Sequence, residues 1–460
     1  MSFRRSLGPF DATMIVAGSM IGSGVFIVSA DIARTLGSPL LVLVAWIVTG
    51  MLTLIAAASY GELAGLFPQA GGQYVYLRES FGRLAGFLYG WTLFTVIQTG
   101  TIAAVAMAFA KYTAVFVPYS EAVTPFVAIL SIVVLTEINV RGVRIGKLVQ
   151  NTFTTTKIVS VIALALIGIA VGWGSEAFQL NVATFTTGGE SAWTPSMDVH
   201  GLSVLLAVAV AMVGSLFSSD AWNNITFAAA EVKNPERTIP RALLGGVALV
   251  TLLYLLCNVA YLSVLPLRGD PEGLSTIARG ISHATSDRVG AAAADVMFGD
   301  IGLYIMSALI MVSTFGCNNG LILSGSRAYY AMAVDGLFFK SAAKLNDAGV
   351  PSTSLRIQAV WASLLCLSGS YSNLLDYVIF AVLVFYILTI AGIFRLRSTQ
   401  PLRERPIRAA GYPVLPAMYI AGAAFICVVL LIYKPGYTWP GLGIVALGWP
   451  VYYVWTRRSS

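Results

Sequence analysis

Apolar residues along this chain gather into twelve long runs, separated by breaks that are charged or rich in proline and glycine. The runs cover about 11–37, 39–66, 84–117, 122–139, 150–173, 200–231, 239–265, 292–332, 353–371, 374–396, 413–433 and 437–456. A helix needs roughly 17–25 apolar residues to cross the hydrocarbon layer of a bilayer, and every run reaches that length. Runs one, three, six and eight exceed it, which predicts tilt, internal breaks or projecting ends. The pattern predicts an all-α integral membrane protein of 12 transmembrane helices, forming a single domain over residues 1–460.

Two runs are spoiled from within. The first reads as one helix until "GSMIGSGVFI", where Gly22 and Gly24 flank Ser23 near the expected bilayer centre. Glycine is a poor helix former, and freed backbone groups have no water there. Gly18 and Gly22 also have the spacing of a close-packing helix face, so this stretch alone admits a packing reading. The sixth run supplies the second interruption, "GSLFSSDAWNNIT", with Ser218, Ser219, Asp220, Asn223 and Asn224 in an otherwise apolar segment. Irregular backbone at membrane depth is tolerated only inside protein or against a cavity. The interruptions lie five runs apart, so runs one to five (about 11–173) and six to ten (about 200–396) pair as repeats of opposite orientation. Helices 11 and 12 (about 413–456) follow. A 5+5 inverted repeat with discontinuous helices 1 and 6 is an arrangement of secondary transporters that bind substrate at the midplane.

Composition supports the membrane assignment. The chain is 57% hydrophobic and 11% charged, against roughly 25% charged in soluble domains. Twelve crossings put both termini on one side. Loops and run ends on that side hold 21 of the 28 Lys and Arg residues, those on the opposite side hold 6, and Lys157 in run five is left unassigned. The positive-inside rule then places both termini, and Ser398, in the cytoplasm and Gly189 outside. The net charge of +7 is spread along loop edges and forms no patch for nucleic acid. "SFRRSLGPF" is followed by no cleavage signal, so the first helix reads as uncleaved. The four cysteines lie within runs and predict no disulfide. His200 and His283 fall at or beyond run ends, which argues against a metal centre. No intramembrane nucleophile, acid–base pair or cofactor motif suggests an enzyme.

Several motifs then resemble one family. "AGSMIGSGVF…GSP" and "YGELAGLFPQAGGQYVYLRESFG" are similar to the signature of the amino acid–polyamine–organocation superfamily. "LVQNTFTTTK", "WNNITFAAAEVKNPERTIPRA", "STFGCNNGLILSGSR" and "LRERPIRAAGYPVLP" resemble its L-type amino acid transporter family, in order and over essentially the whole chain. The resemblance implies the leucine-transporter fold, a stand-alone prokaryotic protein of the cell membrane, and sodium-independent exchange of neutral L-amino acids. It implies no cofactor, and an amino acid substrate as the partner besides lipid. The family's substrate carboxylate meets backbone amides, here those of Ser23, Gly24 and Val25. That agrees with the affinity of helix N-termini for anions. The resemblance places the substrate ammonium on the carbonyls of Met20, Ile21 and Phe217, with the Phe217 ring closing over the ligand. Side chains of Val96, Ile97, Asp220, Asn223 and Ser313 would line the pocket. Lys157 would face the place where sodium-coupled relatives of this fold hold an ion, its ammonium standing in for sodium.

Departures matter as well. "VFVPYSEAV" after run three lacks the cysteine that links some members to a single-span glycoprotein, so no disulfide-linked heavy chain is expected. Asp220 matches relatives that accept cationic substrates, and it could instead take up a proton or cap the helix after it. Val382 stands where some relatives carry asparagine, which favours apolar substrates. Lys157 could also snorkel to the interface. Asp11 is expected to cap helix one or close the cytoplasmic mouth. Glu62 and Glu231 are expected either to pair with arginines or to sit in the headgroup layer. Proton-coupled or cationic amino acid transport is the nearest alternative, and a binding receptor without flux is the alternative of a different class.

Overall fold

The computed structural model describes residues 3–186, 202–368 and 371–459; His200, Gly189 and the start of the sixth run lie outside them. Among the described residues there is no strand, only an isolated parallel bridge between Leu7 and Val232. Helices begin where the sequence offers a suitable first turn. α1 (Pro9–Met20) opens on a proline, with the Asp11 carboxylate accepting from the Gly8 amide at 2.8 Å. It stops at Ile21 and the chain resumes, after a short 3₁₀ turn at Gly24–Phe26, as α2 (Ser29–Leu36). α3 (Pro39–Leu66) opens on a second proline, which lacks the N–H that a first turn leaves unpaired anyway. α4 (Gln73–Phe81) lies between runs two and three, and the third run is α5 (Arg83–Thr92), a π-helical turn at Leu93–Ile97, and α6 (Gln98–Thr113). α7 (Thr124–Val140), α8 (Val143–Gly172) and the short α9 (Glu176–Ala183) follow.

The second interruption follows. α10 (Leu202–Ser218) breaks before α11 (Asn224–Phe227), and α12 (Pro235–Val264) is long. α13 (Thr276–Arg279), α14 (Val289–Phe298), α15 (Gly302–Val334), α16 (Ser352–Ser368), α17 (Tyr371–Thr399), α18 (Val414–Tyr433) and α19 (Pro435–Ser459) complete the chain. Among the described residues, 8 helical stretches are long and apolar enough to cross a membrane. Among the described residues, no half of either broken run reaches that length. The polarity pattern is that of a protein solvated by lipid. Leu148, Leu166 and Leu252 are exposed, while Lys157, Glu231 and Arg327 are buried. α12 packs on α3, α8 and α1, and α15 on α6, α8 and α1, so α1 with its break runs through the middle.

Candidate functional site

The two breaks face each other. Beyond Ile21 the chain makes its next helical bond when the Phe26 amide donates to the Ser23 carbonyl at 3.1 Å. The amides of Ser23, Gly24 and Val25 are thus first-turn donors, which a helix leaves without intrahelical acceptors. A Cβ on Gly24 would lie 2.2 Å from Ser218 Oγ and 3.2 Å from Ser218 Cα. The glycine therefore lets the first break approach the second. At that second break the chain turns at Ala221, whose φ of 64° is left-handed, a conformation a Cβ disfavours. Tyr254 of α12 ties the breaks together, its hydroxyl lying 3.0 Å from the Met20 carbonyl and 2.9 Å from the Ser218 carbonyl.

Lys157 lies behind the first break, fully buried. Its ammonium donates to the carbonyls of Gly18 at 2.6 Å and Ile21 at 2.7 Å, and is 3.4 Å from that of Ser313. The side chain points inward, not toward the interface. Ser313 donates within 3.1 Å of the Ile21 carbonyl and 2.8 Å of the Gly22 carbonyl. The Ile21 carbonyl thus accepts from Lys157, while the single hydroxyl proton of Ser313 has its shorter contact with the Gly22 carbonyl. Met20, with one lone pair given to Tyr254, keeps the other. The two readings of the glycine-rich stretch divide between residues. A Cβ on Gly18 would meet Gln150 and Thr154 of α8 at 2.0 and 2.2 Å, so Gly18 serves packing and Gly24 serves the break.

A cavity opens against the break, walled by Met20, Gly22, Ser23, Gly24 and Phe217, with Cys317 behind. A second cavity adjoins it and is lined by Ile97, Asn223 and Val382 among others. Thr101, Asp220 and Ala221 border both. Asp220 does not cap a helix as one reading expected, because α11 starts at Asn224 with Asn223 at the cap position. Its carboxylate accepts the Tyr386 hydroxyl at 2.6 Å instead. Ser313 supports the break from behind and borders neither cavity. Val96 borders neither either, though Ile97 does; the π turn at Leu93–Ile97 shifts the helical register there. Tyr254, Gln73 and Tyr386 were not anticipated. A lone tyrosine in the apolar stretch "TLLYLLCN" was the available signal for the first.

Expected charge pairs also find their places. Glu62 is buried and accepts from Arg397 at 2.6 Å, with Arg405 at 3.2 Å and the Ala409 amide at 2.7 Å. Glu231 and Arg327 pair at 3.0 Å, both buried. The headgroup-layer reading of these glutamates therefore fails. Arg327, counted with the loop charges, lies inside α15. Asp11 both closes the capping box and binds Lys147 at 2.9 Å and Asn151 at 2.7 Å.

Long apolar helices, a discontinuous backbone and an internal cavity at the breaks define a multi-pass membrane protein. The profile of the amino acid permease family matches residues 7–454, and the chain belongs to that family, within the amino acid–polyamine–organocation superfamily. It is 29% identical to the serine/threonine exchanger SteT of Bacillus subtilis, over 99% of this chain and 98% of that one. It is 29% identical to the human large neutral amino acids transporter small subunit 2, over 99% of this chain and 81% of that one. It is 27% identical to the mouse b(0,+)-type amino acid transporter 1, over 100% of this chain and 91% of that one. These relatives are transporters and exchangers, which supports amino acid transport and not enzymatic activity.

Proposed function

We propose that the protein exchanges neutral L-amino acids across the cell membrane, without sodium, by alternating access. It would use twelve spans with cytoplasmic termini and a 5+5 inverted repeat of the leucine-transporter kind. The observation that carries this reading is the pair of facing breaks, with Lys157 bound to carbonyls of the first. The substrate carboxylate would take the amides of Ser23, Gly24 and Val25, a site suited to an anion by its free N–H groups and local dipole. The ammonium would take the carbonyls of Met20, Ile21 and Phe217. The Lys157 ammonium occupies the carbonyls behind the break, which removes the reason for a sodium ion there. No cysteine lies in 115–123, so we propose a stand-alone transporter without a disulfide-linked partner.

Purified protein in sodium-free liposomes preloaded with unlabelled amino acids should take up labelled amino acid, and uptake should fall to background without preloading. Uptake indifferent to internal substrate would contradict exchange, and binding without flux would make the protein a receptor. One observation favours a second reading: Asp220 takes part in no ion pair among the described residues. A carboxylate so placed could pair with a cationic side chain or carry a proton.

A further inference from the structure

We propose that the second cavity, continuing from the first break past Asp220, holds the substrate's side chain and is built for a carboxamide, glutamine before asparagine. The inference rests on the transport reading above and narrows its substrate class. The cavity against Ser23 and Gly24 shares Thr101, Asp220 and Ala221 with the second cavity. A third cavity, walled mainly by apolar residues such as Leu52, Leu216 and Ile426, shares only Asp220 with the first. A ligand held by its carboxylate at the break therefore extends most directly into the second.

The chemistry of that second cavity is specific. Most of its hydrogen-bonding groups are already engaged: Asn223 donates to Gln73 at 2.8 Å, Gln73 to Thr389 at 3.0 Å, and Gln98 to the Leu321 carbonyl at 2.8 Å. Two groups stand out. Asn224, 1% exposed, has no partner for its Nδ2. Asp220 accepts from the Tyr386 hydroxyl and the Ala221 amide, and a carboxylate has about four acceptor positions. No Lys, Arg or His lines the cavity. It thus presents one unused donor and one anionic acceptor.

A carboxamide satisfies both at once, its oxygen accepting from Asn224 and its NH2 donating to Asp220. An apolar side chain would leave both unpaired in a desolvated site, which is where hydrogen-bonding pockets discriminate most strongly. A lysine or arginine head carries donors only, so it would serve Asp220 and still leave Asn224 without an acceptor. A serine or threonine hydroxyl has both functions but sits on Cβ, well short of the glutamine amide.

The test uses the full-length protein in liposomes preloaded with all twenty amino acids, with labelled glutamine, methionine and lysine offered outside. Glutamine should enter at a half-saturating concentration about tenfold or more below those of methionine, its near-isostere, and lysine. Asn224→Asp removes the donor at nearly constant shape. It should shrink the glutamine-to-methionine ratio severalfold and raise lysine relative to both. Methionine equal to or better than glutamine in the wild type would overturn the carboxamide assignment and leave amino acid exchange standing. So would lysine preferred over glutamine. Exchange with none of the twenty would overturn the transport reading itself. The wild-type order decides the matter even if the variant does not fold.

Discussion

A lysine fully inside a membrane protein is affordable only where acceptors surround its ammonium, and Lys157 meets that condition at the carbonyls of Gly18 and Ile21. Hydrogen bonds to a charged group contribute roughly 1.5–3 kcal/mol each. Lys157→Ala should therefore loosen the first break and lower exchange by about tenfold or more, at roughly 1.4 kcal/mol per decade. Wild-type uptake should be unchanged when sodium replaces potassium outside. Near-normal exchange in the alanine variant, or uptake driven by sodium, would remove the ion-surrogate role. Gly24 makes a second test. A side chain there would collide with Ser218 across the gap, and valine also stiffens the backbone. Gly24→Val should abolish substrate-induced thermal stabilisation while the protein still elutes as a single species. An unchanged stabilisation would mean that the carboxylate does not lie against Gly24.

Among the elements, α8 grips α1 along its length. Lys147 and Asn151 hold Asp11, Gln150 and Thr154 reach the Met14 carbonyl at 3.3 Å, and Lys157 holds the end. These positions recur on one face of α8, yet the sequence alone shows only "KLVQNTFTTTK", whose partners depend on which helix lies opposite. The same limit applies to Glu231 and Arg327, 96 residues apart. Their buried pair joins the stretch after the second break to α15. Removing one partner of such a pair strands a charge, so Arg327→Leu should destabilise the protein by about 3–5 kcal/mol, read as a lower melting temperature in detergent. Adding Glu231→Gln should recover much of the loss. Independent, additive effects of the two substitutions would contradict the coupling.

At the scale of the whole molecule, the proposed topology places the end of α17 in the cytoplasm and the 265–288 region outside. Ser398 and Leu274 are both exposed, and the four native cysteines are buried. Ser398→Cys should react with a membrane-impermeant maleimide only after the membrane is opened, and Leu274→Cys should react in intact cells. The reverse labelling would overturn the 21-to-6 loop assignment. What the sequence determined by itself was what depends on local composition. Lipid demands long apolar runs, so most helix edges fell within a few residues of the expected ones, α3 at 39–66 among them. Backbone exposure in a dry medium demands a reason, so both breaks were legible from glycine and clustered polar residues. Tertiary structure decided which partner each polar group met. The Lys157 ammonium met the carbonyls of Gly18 and Ile21 because α8 lies against the end of α1. Asp220 turned from a helix cap into the acceptor of Tyr386 because the chain bends at Ala221 first. Those outcomes follow from contacts between residues far apart in the chain, whose distances no periodicity encodes.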